Sequence, residues 1–154
     1  MARIRDVRLR PAKAGDVPRI TELVHASYRP FAERLGRLPR PLTDDYAEVV
    51  GRGRTTVAER GDQIVGLVVL GIDDEGFMVD NVAVDPAHRR TGVGRALLEH
   101  AEASARQAGF DSIYLYTADA ATENLELYER IDYVEYDRRV HDGVTLVYLR
   151  KTLR

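Results

Sequence analysis

The residues best able to do chemistry sit in one stretch, Val82-Ala83-Val84-Asp85-Pro86-Ala87-His88-Arg89-Arg90-Thr91-Gly92-Val93-Gly94-Arg95-Ala96. An apolar run ends at Asp85-Pro86 and a helical pattern takes over at Val93, so two glycines open a helix. The first amides of a helix have no intrahelical acceptor and lie at the positive end of its dipole, which makes that end a site for anions. Gly92 and Gly94 keep side chains out of the way of those amides, and Arg89, Arg90 and Arg95 add three cations. Two linked phosphates suit this set better than a single carboxylate. A dinucleotide fingerprint requires a third glycine where Leu97 stands, and a P-loop requires Gly-Lys-Ser/Thr where the chain reads Gly94-Arg95-Ala96. The plain alternative is a strand–turn–helix whose glycines only allow tight packing.

A second constellation is Asn124-Leu125-Glu126-Leu127-Tyr128, in which Asn124 and Tyr128 are four residues apart and share one helix face. Taken alone, Tyr128 reads as a core tyrosine beside Leu125 and Leu127. His25 fits a structural place in the first helix, His88 a solvent or phosphate contact, and His100 and His141 the surface. Four histidines so scattered do not make a metal site, and none is expected.

The elements that must position these groups follow from periodicity. Val7-Arg8-Leu9-Arg10 alternates as a strand ending at Pro11, and Asp16 is placed to cap a helix carrying Ile20, Leu23, Val24 and Ser27. Tyr28 to Pro41, with three prolines and four arginines, reads as an irregular or partly helical functional loop. Thr43-Asp44-Asp45 starts a short helix closed by Gly51 or Gly53. Three antiparallel strands follow: Thr55 to Glu59, Gln63 to Leu70 beyond the Gly61-Asp62 turn, and Phe77 to Val84. Val93, Leu97, Ala101, Ala105 and Ala108 mark a long helix, ended by Gly109 with Phe110 packing back. Ile113 to Tyr116 is a strand, Glu123 to Ile131 a helix, Tyr133 to Val140 a strand, and Val144 to Leu149 the last strand beyond Asp142-Gly143. Meanders with one crossover make the class α/β, or α+β by looser naming.

The 154 residues, without repeat or linker, fit a single domain over 1–154. With no cysteine there is neither a disulfide nor a thiolate nucleophile. The start, Met1-Ala2-Arg3-Ile4-Arg5-Asp6, leads into no apolar signal core and no run is long enough for a membrane span, so a cytoplasmic protein is expected. Of 23 basic residues only Lys13 and Lys151 are lysines, yet the net charge of −2 argues against a nucleic-acid partner. Dimers are the commonest assembly for such domains, and a homodimer is compatible with the sequence.

Arg89-Arg90-Thr91-Gly92-Val93-Gly94 resembles the Arg/Gln-x-x-Gly-x-Gly/Ala motif of the GNAT N-acetyltransferases, with Asn81-Val82-Ala83-Val84-Asp85-Pro86 as a typical lead-in. Asn124 to Tyr128 is similar to the family's later Asn-x-x-x-Tyr motif, and the resemblance runs through the whole element order. It implies a mixed sheet of about seven strands, splayed between the fourth and fifth, with about four helices. It implies acetyl-CoA as co-substrate, its pyrophosphate on Arg89 to Arg95 (Arg89, Arg90, Thr91, Gly92, Val93, Gly94 and Arg95). Its pantetheine would lie along the backbone of Val82, Ala83 and Val84, with Asn124 alongside. It also implies direct attack by a primary amine in a ternary complex, an oxyanion donor near Val82, and Tyr128 as general acid. Asp80, two residues before Val82 on the same face, is a candidate base, with an ion pair to an arginine as the even alternative. Asp132-Tyr133 stands where the family commonly has Gly-Phe or Gly-Tyr.

A looser similarity to a bacterial subgroup runs through Tyr28-Arg29-Pro30-Phe31 and Arg37-Leu38-Pro39-Arg40-Pro41-Leu42. There Tyr28, Phe31 and Tyr46 mix with Arg29, Arg34, Arg37 and Arg40, as would suit a carboxylate-bearing small-molecule or peptide amine. The rival reading from another class is a non-catalytic acyl-CoA-binding regulatory module, which keeps Arg89 to Gly94 but has no use for Tyr128.

Overall fold

The computed structural model describes residues 7–36 and 39–153. The N-terminal Met1-Ala2-Arg3-Ile4-Arg5-Asp6 and, in the segment from Tyr28 to Pro41, Arg37 and Leu38 lie outside the described residues. The strands are β1 (Arg8–Pro11), β2 (Thr55–Arg60), β3 (Gln63–Asp73), β4 (Gly76–Val84), β5 (Ser112–Ala118), β6 (Val134–His141) and β7 (Val144–Thr152). The helices are α1 (Val17–Leu35), α2 (Tyr46–Gly51), α3 (Val93–Gln107) and α4 (Thr122–Arg130). The seven strands form one mixed sheet in the order β1-β2-β3-β4-β5-β7-β6, with β4 and β5 parallel at Met78↔Tyr114. The fold class expected from the sequence is the one observed.

Two compact units divide the chain, the first made of residues up to Leu70 together with Asp80–Ala101, the second of Gly71–Val79 and Glu102–Arg154. In the first unit, Ile20, Leu23 and Val24 of α1 share a core with Val49 and Val50 of α2 and with Val57, Leu67, Val69 and Ala83 of the strands. On β3, a Cβ at Gly66 would lie 2.8 Å from Val93 Cγ1 and 3.1 Å from the Ala83 carbonyl, so only glycine lets α3 approach this closely. The register skips Val65, since Ala58 pairs with Gly66 and Glu59 with Ile64. The Val65 carbonyl accepts instead from the Asp85 amide at 2.8 Å, which ties the bulge to the end of β4.

Two expectations concern α1, and the one about its cap is corrected. Of the two readings of Tyr28 to Pro41 the partly helical one holds, and the helical part is longer than a loop would allow: α1 runs through Pro30 to Leu35, and the 3₁₀ turn Arg40–Leu42 follows. Asp16 stands at the N-cap position but caps no amide of α1. Its carboxylate accepts from Arg10 at 2.8 and 3.0 Å and from the Lys13 amide at 2.8 Å, so the stronger charge-assisted partner takes it.

In the second unit, Ile113, Leu115, Val147 and Leu149 are buried, and Phe77 packs on Phe110 with ring centroids 5.6 Å apart. Gly109 takes φ +89 and the Phe110 amide reaches the Ala105 carbonyl, the expected left-handed end of α3. Asp132 takes φ +78 at the end of α4, so an aspartate adopts the left-handed turn that glycine commonly fills.

Candidate functional site

In the first unit, β4 ends at Val84 and Asp85 turns the chain. Its Oδ1 accepts from the Ala87 amide at 3.0 Å and its Oδ2 from Arg19 Nη2 at 2.7 Å. Those bonds, the Ala87 amide first, hold the Asp85 carboxyl below the ordinary aspartate value of 3.8. A single 3₁₀ turn, Pro86–His88, then delivers the segment singled out in the sequence. Arg90 takes φ +64 and Gly92 φ +92, so the backbone reverses twice before α3 begins. The Gly92 carbonyl accepts from Ala96, leaving the amides of Val93, Gly94 and Arg95 with no acceptor inside the helix. At Gly94 a Cβ would have only Val84 Cγ2 nearby, at 3.6 Å, so the fold itself leaves room there.

The three flanking arginines are not equivalent. Arg89 donates to the Ser27 carbonyl of α1 at 3.0 Å, and Arg95 pairs with Glu99 at 3.2 Å, four residues along the helix. Arg90 has no hydrogen bond or ion pair among the described residues and is exposed. Thr91 is spent within the loop: its hydroxyl donates to the His88 carbonyl at 2.5 Å and accepts from Arg60 Nη1 at 3.0 Å. Arg60, at the end of β2, was not anticipated; no local pattern links it to a loop thirty-one residues on.

Along β4, Asp80, Val82 and Val84 are half-buried while Asn81 and Ala83 are buried, so the former three share one face. Asp80 forms the ion pair that was the alternative to a base: Arg40 Nη2 donates to its carbonyl at 2.9 Å and lies 3.3 Å from Oδ1. Arg40 also holds Asp44 at 2.6 Å. On the other face lies a polar network that sequence reasoning missed. The Tyr28 hydroxyl donates to Asn81 Oδ1 at 2.6 Å, Asn81 Nδ2 donates to the Tyr46 hydroxyl at 3.1 Å, and that hydroxyl donates to the Pro41 carbonyl at 2.7 Å. His100 corrects another expectation: it is half-buried, its Nε2 lies 3.1 Å from Thr56 Oγ1, and burial lowers its pKa. His25 is exposed, and His141 lies 3.6 Å from Asp142 at the exposed hairpin tip.

In the second unit, Asn124 and Tyr128 lie on the inner face of α4, with Asn124 half-buried and Tyr128 buried. Asn124 Nδ2 is 3.5 Å from Thr117 Oγ1. The Tyr128 ring meets the Tyr133 ring edge-on at 5.7 Å, and burial pushes its hydroxyl up to about 12. That hydroxyl has no hydrogen-bond partner among the described residues. Leu127, next to Tyr128 in the chain, is 42% exposed. No group of three or more possible metal ligands occurs among the described residues. No helix among them is long and apolar enough to cross a membrane.

A strand, a reversal through two left-handed residues and a helix opening on amides without an intrahelical acceptor make an arrangement that favours anions. A model of the Acetyltransferase (GNAT) family matches residues 18–133, and the chain belongs to that family. It is 28% identical over 103 residues to the uncharacterized N-acetyltransferase YvbK of Bacillus subtilis, covering 64% of each chain. It is 35% identical over 79 residues to an IAA acetyltransferase of Azospirillum brasilense, covering 50% of this chain and 52% of that one. The chain thus spans less than two thirds of the length of the curated relatives it matches. The fold matches the PaiA N-acetyltransferase of Thermoplasma acidophilum, a structure in complex with coenzyme A. There the TM-score is 0.79 at 14% identity, over 95% of this chain and 98% of that one.

Proposed function

We propose that this protein transfers an acetyl group from acetyl-CoA to a primary amine, with both substrates bound together. The observation that carries the reading is the start of α3, where Gly92 at φ +92 and the open position at Gly94 leave three amides unobstructed beside Arg90. Family membership and the coenzyme A held by the Thermoplasma relative support acetyl-CoA as the phosphate-bearing ligand. In this reading the pyrophosphate accepts from the amides of Val93, Gly94 and Arg95, and the pantetheine pairs with the backbone of Val82, Ala83 and Val84. Asn124 contacts the pantetheine.

The chemistry has one bond to make and one to break. The amine, once deprotonated, attacks the thioester carbonyl, and a backbone amide near Val82 stabilises the oxyanion. The attacking nitrogen gives up its second proton to water as collapse expels the thiolate of coenzyme A, which leaves the neutral amide. Because burial raises the Tyr128 hydroxyl to about 12, it carries its proton at neutral pH and offers it to the departing sulfur. Asp80, 3.3 Å from Arg40 through its Oδ1, takes the ammonium proton directly or through water. Arg40, Arg29 and Arg34 border the acceptor side and favour an acceptor that also carries a carboxylate. Screening amines, amino acids, polyamines and peptides for release of free thiol from acetyl-CoA tests the proposal. Acceptor-dependent release is expected. Tight binding of acetyl-CoA with no turnover on any acceptor would instead point to a binding module.

A further inference from the structure

We propose that Arg60 is a positioning residue for the phosphate-binding loop and the fixed positive charge behind it, an inference that rests on the acetyl-CoA reading. A guanidinium carries five N–H donors and no acceptor. Arg60 Nη1 donates to Thr91 Oγ1 at 3.0 Å and Nη2 to the Thr91 carbonyl at 3.4 Å. Nη1 also lies 3.4 Å from His88 Nδ1. Thr91 is the residue between the two left-handed ones, Arg90 and Gly92. Such backbone persists only where surrounding contacts determine it, and Arg60 grips both the hydroxyl and the carbonyl of the residue at its centre.

The charge is as telling as the bonds. Arg10, Arg19, Arg40, Arg95 and Arg139 each face a carboxylate. Among the described residues no carboxylate lies within ion-pair distance of Arg60, although it is half-buried and its Nε is buried without a partner. A partly buried cation with no counter-charge beside it gains from an arriving anion. Its partners lie in the segment that opens α3, so a pyrophosphate on the amides of 93–95 supplies the missing negative charge. Arg60 thereby acts on the phosphate end of the ligand and has no part in the thioester chemistry.

The test is calorimetry of coenzyme A binding at several salt concentrations, on the wild type, Arg60→Met and Arg60→Lys, each first shown to melt cooperatively. Losing a charge-assisted contact predicts a rise in Kd of about 10–100-fold for Arg60→Met. It also predicts a shallower dependence of log Kd on log salt, because one fewer protein cation faces the phosphates. Arg60→Lys keeps the charge and is expected to retain the wild-type slope with a smaller loss. Wild-type affinity in Arg60→Met, or weaker binding with an unchanged slope, would reduce Arg60 to a strut of the fold and overturn the proposal. If Arg60→Met does not fold, Arg60→Gln removes the same charge and is judged on the same slope. A wild type that does not bind coenzyme A at all would overturn the acetyl-CoA reading, and this inference with it.

Discussion

The Tyr28 hydroxyl donates to Asn81 Oδ1 at 2.6 Å, so a residue of α1 fixes the side chain of β4 between Asp80 and Val82. Asn81 is 5% exposed, and its amide also reaches Tyr46, which makes it the junction of two helices and the strand. With Asn81 turned inward, Asp80 and Val82 face the opposite side of the strand.

Removing that junction takes one hydrogen bond from each of two tyrosine hydroxyls. Asn81→Ala should therefore destabilise by about 1–3 kcal/mol, the worth of the two hydrogen bonds lost. Thermal melting checks it. A melting temperature within a degree of wild type would mean that water replaces the amide at no cost.

Gly66→Ala tests the closeness of α3 to β3. The new methyl would sit 2.8 Å from Val93 Cγ1 and 3.0 Å from Leu97 Cδ1, with the Ala83 carbonyl at 3.1 Å on another side. Overpacking of this kind costs about 1–3 kcal/mol. Because Val93 follows Gly92 directly, coenzyme A affinity should fall together with the melting temperature.

Asp85 supplies the pH dependence. Its carboxyl is held below the ordinary value of 3.8 by the Ala87 amide and by Arg19, despite the opposing effect of burial. A depressed folded-state value means that the stabilisation is complete above 3.8 and is lost as pH falls through the folded value. Asp85→Ala should thus cost about 1–2 kcal/mol at pH 7. Chemical denaturation repeated from pH 7 to pH 2 should show the difference from wild type shrinking below about pH 4. A difference that stays constant across that range would show that the ionised form is not what stabilises the turn.

Tyr128→Phe keeps the ring against Tyr133 and removes the proton. Turnover should fall about 10²–10⁴-fold, the usual worth of a positioned acid. Coenzyme A affinity should change by less than about tenfold, since one neutral hydrogen bond contributes roughly 0.5–1.5 kcal/mol. Wild-type turnover would make Tyr128 a packing residue.

Much of this architecture was legible because the signals are local. Alternation marked the strands, the spacing of Val93, Leu97, Ala101 and Ala105 marked α3, and Asp142-Gly143 marked the last hairpin at φ +52 and +78. Pro30 misled because proline cannot donate to the carbonyl four residues back, which argues for a helix end. Tyr28, two residues before Pro30, extends the apolar stripe of Ile20, Leu23 and Val24, and its contact with Asn81 ties this part of α1 to β4. Such a contact spans 53 residues and leaves no periodic trace. The same holds for Arg60 at Thr91 and for Arg40 at Asp80. The glycines and cations of the loop could be read directly; the side chains that hold it in place could not.

The most direct test of the account is calorimetric titration of acetyl-CoA into wild type and Gly94→Glu. At Gly94 the nearest atom to a new Cβ is Val84 Cγ2 at 3.6 Å, so the fold should tolerate the change. The glutamate, however, brings a carboxylate to the amides assigned to the pyrophosphate. The account predicts saturable one-site binding to wild type and none to a Gly94→Glu protein with an unchanged melting temperature. Equal affinity in the two proteins would place the phosphates elsewhere and contradict it.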